Sequence, residues 1–205
     1  MTALRDIPPD ALAPWAEIVP DAPYPMTMRE FLAYPNGDDG YCYELVDGVL
    51  VRMVGSRDRA TRLADRLYRR LGDFVEGQGL GQTRGADAVY DFEHTGQKDT
   101  GLLPDISFYF ASREPLVDPD AAYPFAPDLA VEIASPTQYR PAMKAKAARY
   151  LAGGTALVWV VWPKRQQVDV WHRDAATPLT LGIGDTLDGE AVVPGFSYPV
   201  AALFA

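Results

Sequence analysis

The alternation of apolar and polar side chains changes period several times along the chain, and each change marks an element. From Asp58 to about Glu76, the apolar residues Ala60, Leu63, Ala64, Leu67, Leu71 and Phe74 recur at helical spacing. Arg59, Arg62, Arg66, Arg69 and Arg70 fall on the other side of that helix. Asp128 to Ala134 has the period of a strand instead, with Asp128, Ala130, Glu132 and Ala134 facing away from Leu129, Val131 and Ile133. Leu102 to Phe110 also reads as a strand, setting Asp105, Ser107 and Tyr109 opposite Ile106, Phe108 and Phe110. Ala156 to Trp162 is apolar on both faces, as expected of a central strand covered on both sides.

Shorter signals supply the remaining elements. Tyr41 to Val46 and Val49 to Val54 flank Asp47-Gly48, a two-residue hairpin turn, and Cys42, Glu44 and Val46 share one strand face. Thr27 and Glu30 have the spacing of a capping box, which predicts a helix to about Tyr34, ended by Pro35, Asn36 and Gly37. The glycine-rich stretch from Gly77 to Gly101 should hold strand content around Ala86 to Phe92, and a second long helix should run from about Pro141 to Ala152. Val168 to His172 and Leu179 to Leu181 read as flanking strands, before a short apolar segment from Val200 to Phe204. Six prolines among the first 26 residues read as an irregular arm. The pattern predicts a mixed β-sheet flanked by helices, an α/β (α+β) domain over residues 27–205 behind an arm over 1–26.

Composition narrows the class. At 205 residues, 48% apolar and 23% charged, the chain has the makings of one buried core and not those of a disordered protein. Its longest apolar run, Ala156 to Trp162, falls far short of the about 20 residues that span a bilayer. The opening Met-Thr-Ala-Leu-Arg-Asp has no basic stretch leading into an apolar core, so no secretory leader is expected. One cysteine, Cys42, excludes a disulfide framework, suits the cytoplasm and reads as a small buried apolar residue. Two histidines, His94 and His172, are too few for a His-rich zinc site, so any metal would be held by oxygen.

The net charge of −9 argues against a protein that coats nucleic acid. Its distribution changes that picture. Six arginines against two aspartates between 57 and 70 make a local +4, which leaves −13 elsewhere. The arginine stripe would be about 16 Å long, either a solvated helix face or a phosphate-facing one.

Two carboxylates need explaining. Glu132 interrupts Leu129-Ala130-Val131-Glu132-Ile133-Ala134, and Asp105 sits in Pro104-Asp105-Ile106-Ser107-Phe108, both in otherwise apolar strands. If those strands are neighbours, the two anions repel unless one is protonated or a divalent cation lies between them. Lys144 and Lys146, on the next helix, could neutralise charge on a phosphoryl oxygen or orient a water, and Glu44 could add a third carboxylate. The bland alternatives are carboxylates that cap backbone amides or pair with Arg149 or Lys144, a Glu44 facing water, and solvated lysines. Asp128 shares a strand face with Glu132 and reads as strand-entry chemistry, while Trp159, Trp162 and Trp171 read as core.

At this point the motifs resemble those of the Uma-two family of restriction endonucleases, a branch of the PD-(D/E)XK nuclease superfamily. The resemblance runs from Thr27 nearly to the C-terminus. It is carried by Thr27-x-x-Glu30-Phe31, Tyr43-Glu44-Leu45-Val46-Asp47-Gly48, Pro104-Asp105-Ile106-Ser107-Phe108 and the run from Pro127 to Pro136. Lys146-x-x-x-Tyr150-x-x-x-Gly154, the run from Val158 to Pro163 and Pro194-Gly195-Phe196 complete it. Each piece is weak alone; their order and spacing are specific.

The resemblance implies a restriction-endonuclease-like fold and magnesium- or manganese-dependent hydrolysis of DNA phosphodiester bonds. Asp105 would match the first acid and Glu132 the second, with the Ile133 carbonyl completing the protein's share of a metal site. In the wider superfamily a lysine follows the second acid by two residues, where this chain has Ala134. In this branch it moves to the next helix, where Lys146 stands, with Lys144 as the neighbouring candidate. Glu44 would be the helper carboxylate, and the arginines from Arg59 to Arg70 would hold the DNA backbone. Cutting both strands of a duplex needs two sites, which makes a homodimer an expectation of this reading. One departure stands out: family members often carry a histidine where this chain has Arg57-Asp58-Arg59-Ala60-Thr61. That departure and the acidic total favour the alternative, a catalytically inactive nuclease-fold module that binds nucleic acid or a protein partner.

Overall fold

The structure, a computed structural model, describes residues 13–34, 41–54, 58–136 and 138–205. Its centre is a parallel pair of strands, β8 (Leu129–Ile133) and β9 (Leu157–Trp162), joined by the helix α3 (Arg140–Ala152). Both strands are buried along their whole length, which is what their apolar sequences demand. Antiparallel neighbours extend the sheet on both sides: β7 (Ile106–Phe110) and β4 (Gly81–Gly85) beyond β8, β10 (Gln167–His172) and β11 (Leu179–Leu181) beyond β9. The order is β11-β10-β9-β8-β7-β4.

A second sheet is built on the predicted hairpin. β2 (Tyr41–Val46) turns through Asp47 and Gly48, both at positive φ, into β3 (Val49–Val54). Gly48, at φ +77, holds the backbone region that side chains resist and glycine accepts. The edges are β1 (Glu17–Ile18) on β3, and β6 (Gly101–Leu102) followed by β5 (Tyr90–Asp91) on β2. The C-terminal part adds a small pair, β12 (Thr186–Asp188) and β13 (Ser197–Pro199), and the short helix α4 (Val200–Phe204).

The alternation within the strands sorts the core into layers. Ile106, Phe108, Leu129, Val131, Ile133, Trp159 and Val161 face α2 (Asp58–Gln78) through Ala60, Leu63, Leu67, Leu71 and Val75. The opposite face, with Tyr109, Ala130, Ala134, Val158, Val160 and Trp162, is covered by α3 and the inner side of the smaller sheet, Val46, Val49 and Val51. A third cluster seats α1 (Met28–Leu32) on the outer side of the hairpin through Met28, Phe31, Tyr43, Leu45 and Leu50. Thr27 and Glu30 close the expected capping box, with the Glu30 carboxylate accepting the Thr27 N–H at 2.8 Å.

Several boundaries differ from the sequence reading. The stretch read as one strand from Leu102 to Phe110 is two strands in two sheets. Pro104 has no N–H to give a ladder, and the chain crosses from β6 to β7 at Leu103–Asp105. Strand content expected at Ala86–Phe92 is divided between β4, five residues earlier, and β5. Residues 13–26, within the Pro-rich arm, include β1 and bury Ala13 and Trp15 in the core. Cys42, read as buried, is exposed. Pro35, Asn36, Gly37 and Arg57 lie outside the described residues.

Candidate active site

The crossing from β6 to β7 brings the two sheets together around three carboxylates. β7 and β8 pair antiparallel with Ile106 opposite Val131, so one step further along the ladder Asp105 lies opposite Glu132 on the same face. That face is the one covered by α3 and the hairpin sheet. Asp105 Oδ2 accepts the Ile133 N–H at 2.6 Å, which fixes the carboxylate at the end of the ladder. Glu44 enters from β2 in the other sheet, where its Oε1 accepts the Leu103 N–H and its Oε2 the Trp15 Nε1–H, each at 2.9 Å.

Lys146 holds this group together from α3. Its Nζ lies 2.8 Å from Glu132 Oε1 and 3.1 Å from Glu44 Oε1, fully buried, with Met53 Sδ at 3.8 Å. One turn on, the Tyr150 hydroxyl donates to the same Glu132 Oε1 at 2.8 Å. Residues 146 and 150 are i and i+4, so they rise from one face of the helix onto one carboxylate oxygen. Lys144, two residues earlier, points away and donates to the Ala176 carbonyl at the surface.

Burial shapes the protonation of the cluster. It raises the pKa of Glu132, against the opposing pull of the Lys146 ammonium, and the nearby Asp105 and Glu44 add to the rise. Asp105 is also raised by burial, partly offset by the Ile133 N–H and Lys146. Burial alone would lower Lys146, but the adjacent carboxylates outweigh it and raise its pKa, so it stays an ammonium. Burial likewise raises the Tyr150 hydroxyl, which remains a donor. With all four ionised, three carboxylates against one ammonium leave a formal −2 in a largely dehydrated place. Anions so placed call for a cation or for protons.

A cavity of about 150 Å³ opens beside the pair, lined by Asp105, Glu132 and Ile133 among others. Glu44 and Lys146 lie behind Glu132, outside its lining. The known contacts occupy Glu132 Oε1 and Asp105 Oδ2; among the described residues Glu132 Oε2 and Asp105 Oδ1 accept no hydrogen bond. Among the described residues no three His, Cys, Asp or Glu are placed to hold a metal ion. Two carboxylate oxygens face one cavity, short of a three-residue set, so a hard oxygen-seeking cation would fit here only with other oxygens, waters included, completing its shell.

The other sequence candidates separate from this group. Asp128, at the far end of β8, is bidentate to Arg113 at 2.8 and 2.9 Å and accepts the Phe110 N–H. Arg149 pairs with Asp47 of the hairpin turn. The arginine helix α2 packs on the opposite face of the six-stranded sheet from Asp105 and Glu132. Arg66 donates to the Ala202 and Leu203 carbonyls at the end of α4, Arg62 pairs with Asp58, Arg69 bonds the Asp65 carbonyl, and Arg70 lies over the Tyr198 ring. Arg59, in the first turn, lines an adjoining cavity whose wall also includes Ser135 and Gln138.

Trp15 and Tyr150 are the site residues that the sequence reading passed over. Tyr150 carried a signal, standing four residues after Lys146 on a helix. Trp15 carried none, since its contact with Glu44 spans 29 residues out of a Pro-rich arm.

The family model described as "Putative restriction endonuclease", Uma2, matches residues 28–201. Among solved structures, the chain is similar to the crystal structure of "a putative nuclease belonging to DUF820" from Anabaena variabilis ATCC 29413. That likeness has a TM-score of 0.75 at 20% identity and covers 88% of this chain and 98% of the other, which shows a shared fold. No curated protein matches the chain significantly.

Proposed function

The chain belongs to the Uma2 family, described as "Putative restriction endonuclease", and from that membership and the carboxylate pair we propose that it is a divalent-cation-dependent nuclease that hydrolyses phosphodiester bonds in DNA. The observation that carries this reading is Asp105 opposite Glu132 at a cavity, with Lys146 buried behind them. Asp105, Glu132 and the Ile133 carbonyl would hold magnesium or manganese. Bound there, the cation supplies Lewis-acid polarisation of a phosphoryl oxygen and a more acidic water.

The chain's own residues have distinct parts. The Ile133 N–H holds Asp105 Oδ2, and Lys146 with Tyr150 holds Glu132 Oε1, so one oxygen of each carboxylate is kept for the cavity. Lys146 offsets one of the negative charges and fixes Glu44 in the same contact set, which makes both positioning residues. Geometry set by buried hydrogen bonds needs no reorganisation when the phosphate arrives. Of the arginine stripe, Arg59 would touch the bound strand, a role supported by its place on the adjoining cavity's wall, while Arg66 and Arg70 bond and stack on the C-terminal segment.

Purified protein should nick supercoiled plasmid in manganese or magnesium, and Asp105→Ala and Glu132→Ala should not. Equal nicking by all three would trace the activity to a contaminant and overturn the reading.

A further inference from the structure

Next to the carboxylate cavity lies a larger one of about 480 Å³, and the two share Ser135 and Gln138 in their walls. The first is too small for a nucleoside; the second is in the range of pockets that enclose whole small molecules. Its lining is mostly apolar, with the Tyr139 ring at its rim, 56% exposed, and Trp162 in its floor. Arg140 lies over the Trp162 ring, 5.4 Å from its centroid, and its Nη1 donates to both oxygens of the buried Asp169 at 3.0 and 2.8 Å. Arg140 is therefore fixed as part of the floor.

The other cations are differently placed. Arg59, Lys164 and Arg165 line the same cavity and are exposed, and none makes an ion pair with a described residue. No carboxylate lines the cavity among the described residues, in a chain whose formal charge is −9. An apolar slot with one exposed aromatic ring and three cations that have no ion-pair partner among the described residues, Lys164 donating to the Pro136 carbonyl at 3.4 Å, is complementary to a base and its flanking phosphates.

We propose that this cavity holds one unstacked nucleoside of the cut strand, next to the phosphate bound at Asp105 and Glu132. Tyr139 stacks on the base, and Arg59, Lys164 and Arg165 take the neighbouring phosphates. The inference rests on the nuclease reading and narrows its substrate. A base that is paired and stacked in a duplex cannot reach into a recessed pocket of this kind without being taken out of the stack. The preferred substrate is therefore single-stranded DNA, or a duplex with an unpaired nucleotide at the cut.

The test is fluorescence anisotropy in calcium buffer, with a labelled short oligothymidylate and a blunt duplex of equal length. Wild type should bind the single strand more tightly than the duplex. Tyr139→Ala, a change at an exposed side chain, should weaken the single strand by about tenfold, the usual worth of one stacked base, and barely affect the duplex. The triple variant Arg59→Gln, Lys164→Gln, Arg165→Gln should flatten the salt dependence of single-strand binding by about 0.7 in slope per lost contact. Preference for the duplex, an unaltered Tyr139→Ala, or an unaltered slope would overturn the inference. If wild type nicks plasmid in manganese while these variants bind as it does, the cavity assignment fails alone. If wild type binds neither probe and nicks nothing, the nuclease reading fails with it.

Discussion

Replacing Lys146 by methionine keeps most of the side-chain volume but removes the ammonium that reaches both Glu44 and Glu132. Both carboxylates are buried, so the change leaves them without their counter-charge. Removing one partner of a buried ion pair typically costs about 3–5 kcal/mol. Glu44 keeps the N–H donors of Trp15 and Leu103, and Glu132 keeps the Tyr150 hydroxyl, which places the loss toward the lower end, about 3 kcal/mol. In a chain of this length that is a fall in melting temperature of roughly 6–12 °C.

The pH dependence gives the argument its signature. Burial already raises the Glu132 pKa against Lys146, and without the ammonium that rise goes unopposed. A carboxyl whose folded pKa lies above its unfolded value contributes stability that is complete below the unfolded pKa and lost as pH rises through the folded one. Urea unfolding at pH 8 and pH 5 should therefore show a larger deficit for Lys146→Met at pH 8. A variant as stable as wild type at pH 8, or a deficit no smaller at pH 5, would refute the view that Lys146 is there to hold buried anions.

Three further expectations follow from the same contacts. Trp15→Phe removes the indole N–H from a buried carboxylate and should cost about 2 kcal/mol in urea unfolding, with slower plasmid nicking; unchanged values in both would mean that the arm does not position Glu44. Asp128→Asn breaks the bidentate pair with Arg113 and should lower stability by about 1 kcal/mol while leaving nicking intact, which separates this structural carboxylate from Asp105; lost nicking would join it to the site. Because Asp105 and Glu132 both have raised pKa values, stability without divalent cations should decline as pH rises above the ordinary carboxylate range, and manganese should offset much of that decline; a flat profile by calorimetric melting would count against two neighbouring anions, Glu132 buried and Asp105 half-buried, sharing a face.

Much of the fold was readable because its signals are local. The hairpin at Asp47-Gly48, the helix after Asp58 and the strands around Val131 and Trp159 each carry their own period and turn chemistry, and each forms within a residue or two of the expected bounds. β4, Gly-Gln-Thr-Arg-Gly, has no apolar alternation and is a strand because β7 pairs with it, so nothing local announces it. The division of Leu102–Phe110 between two sheets hangs on Pro104 and on pairing partners far along the chain.

The site was legible to a similar depth. Asp105, Glu132 and Glu44 stood out as carboxylates in apolar strands, and the structure brings all three to Lys146, directly or across one ladder step. Helix phase sets Lys146 toward the core and the carboxylates, and Lys144 toward the surface and the Ala176 carbonyl. What the sequence could not show is which side of the sheet each element covers. The arginine helix and the carboxylates lie on opposite faces; Arg52 of β3 lines the carboxylate cavity itself, and Arg59 with Lys164 and Arg165 of the turn after β9 line the adjoining one.

Whether Asp105 and Glu132 form a cation site is measured by calorimetric titration of the metal-free protein with manganese. Wild type should take up one ion per chain, Asp105→Asn and Glu132→Gln should take up none or bind far more weakly, and Asp128→Asn should bind as wild type does. Absence of binding by wild type, or binding that survives both Asp105→Asn and Glu132→Gln, would contradict such a site.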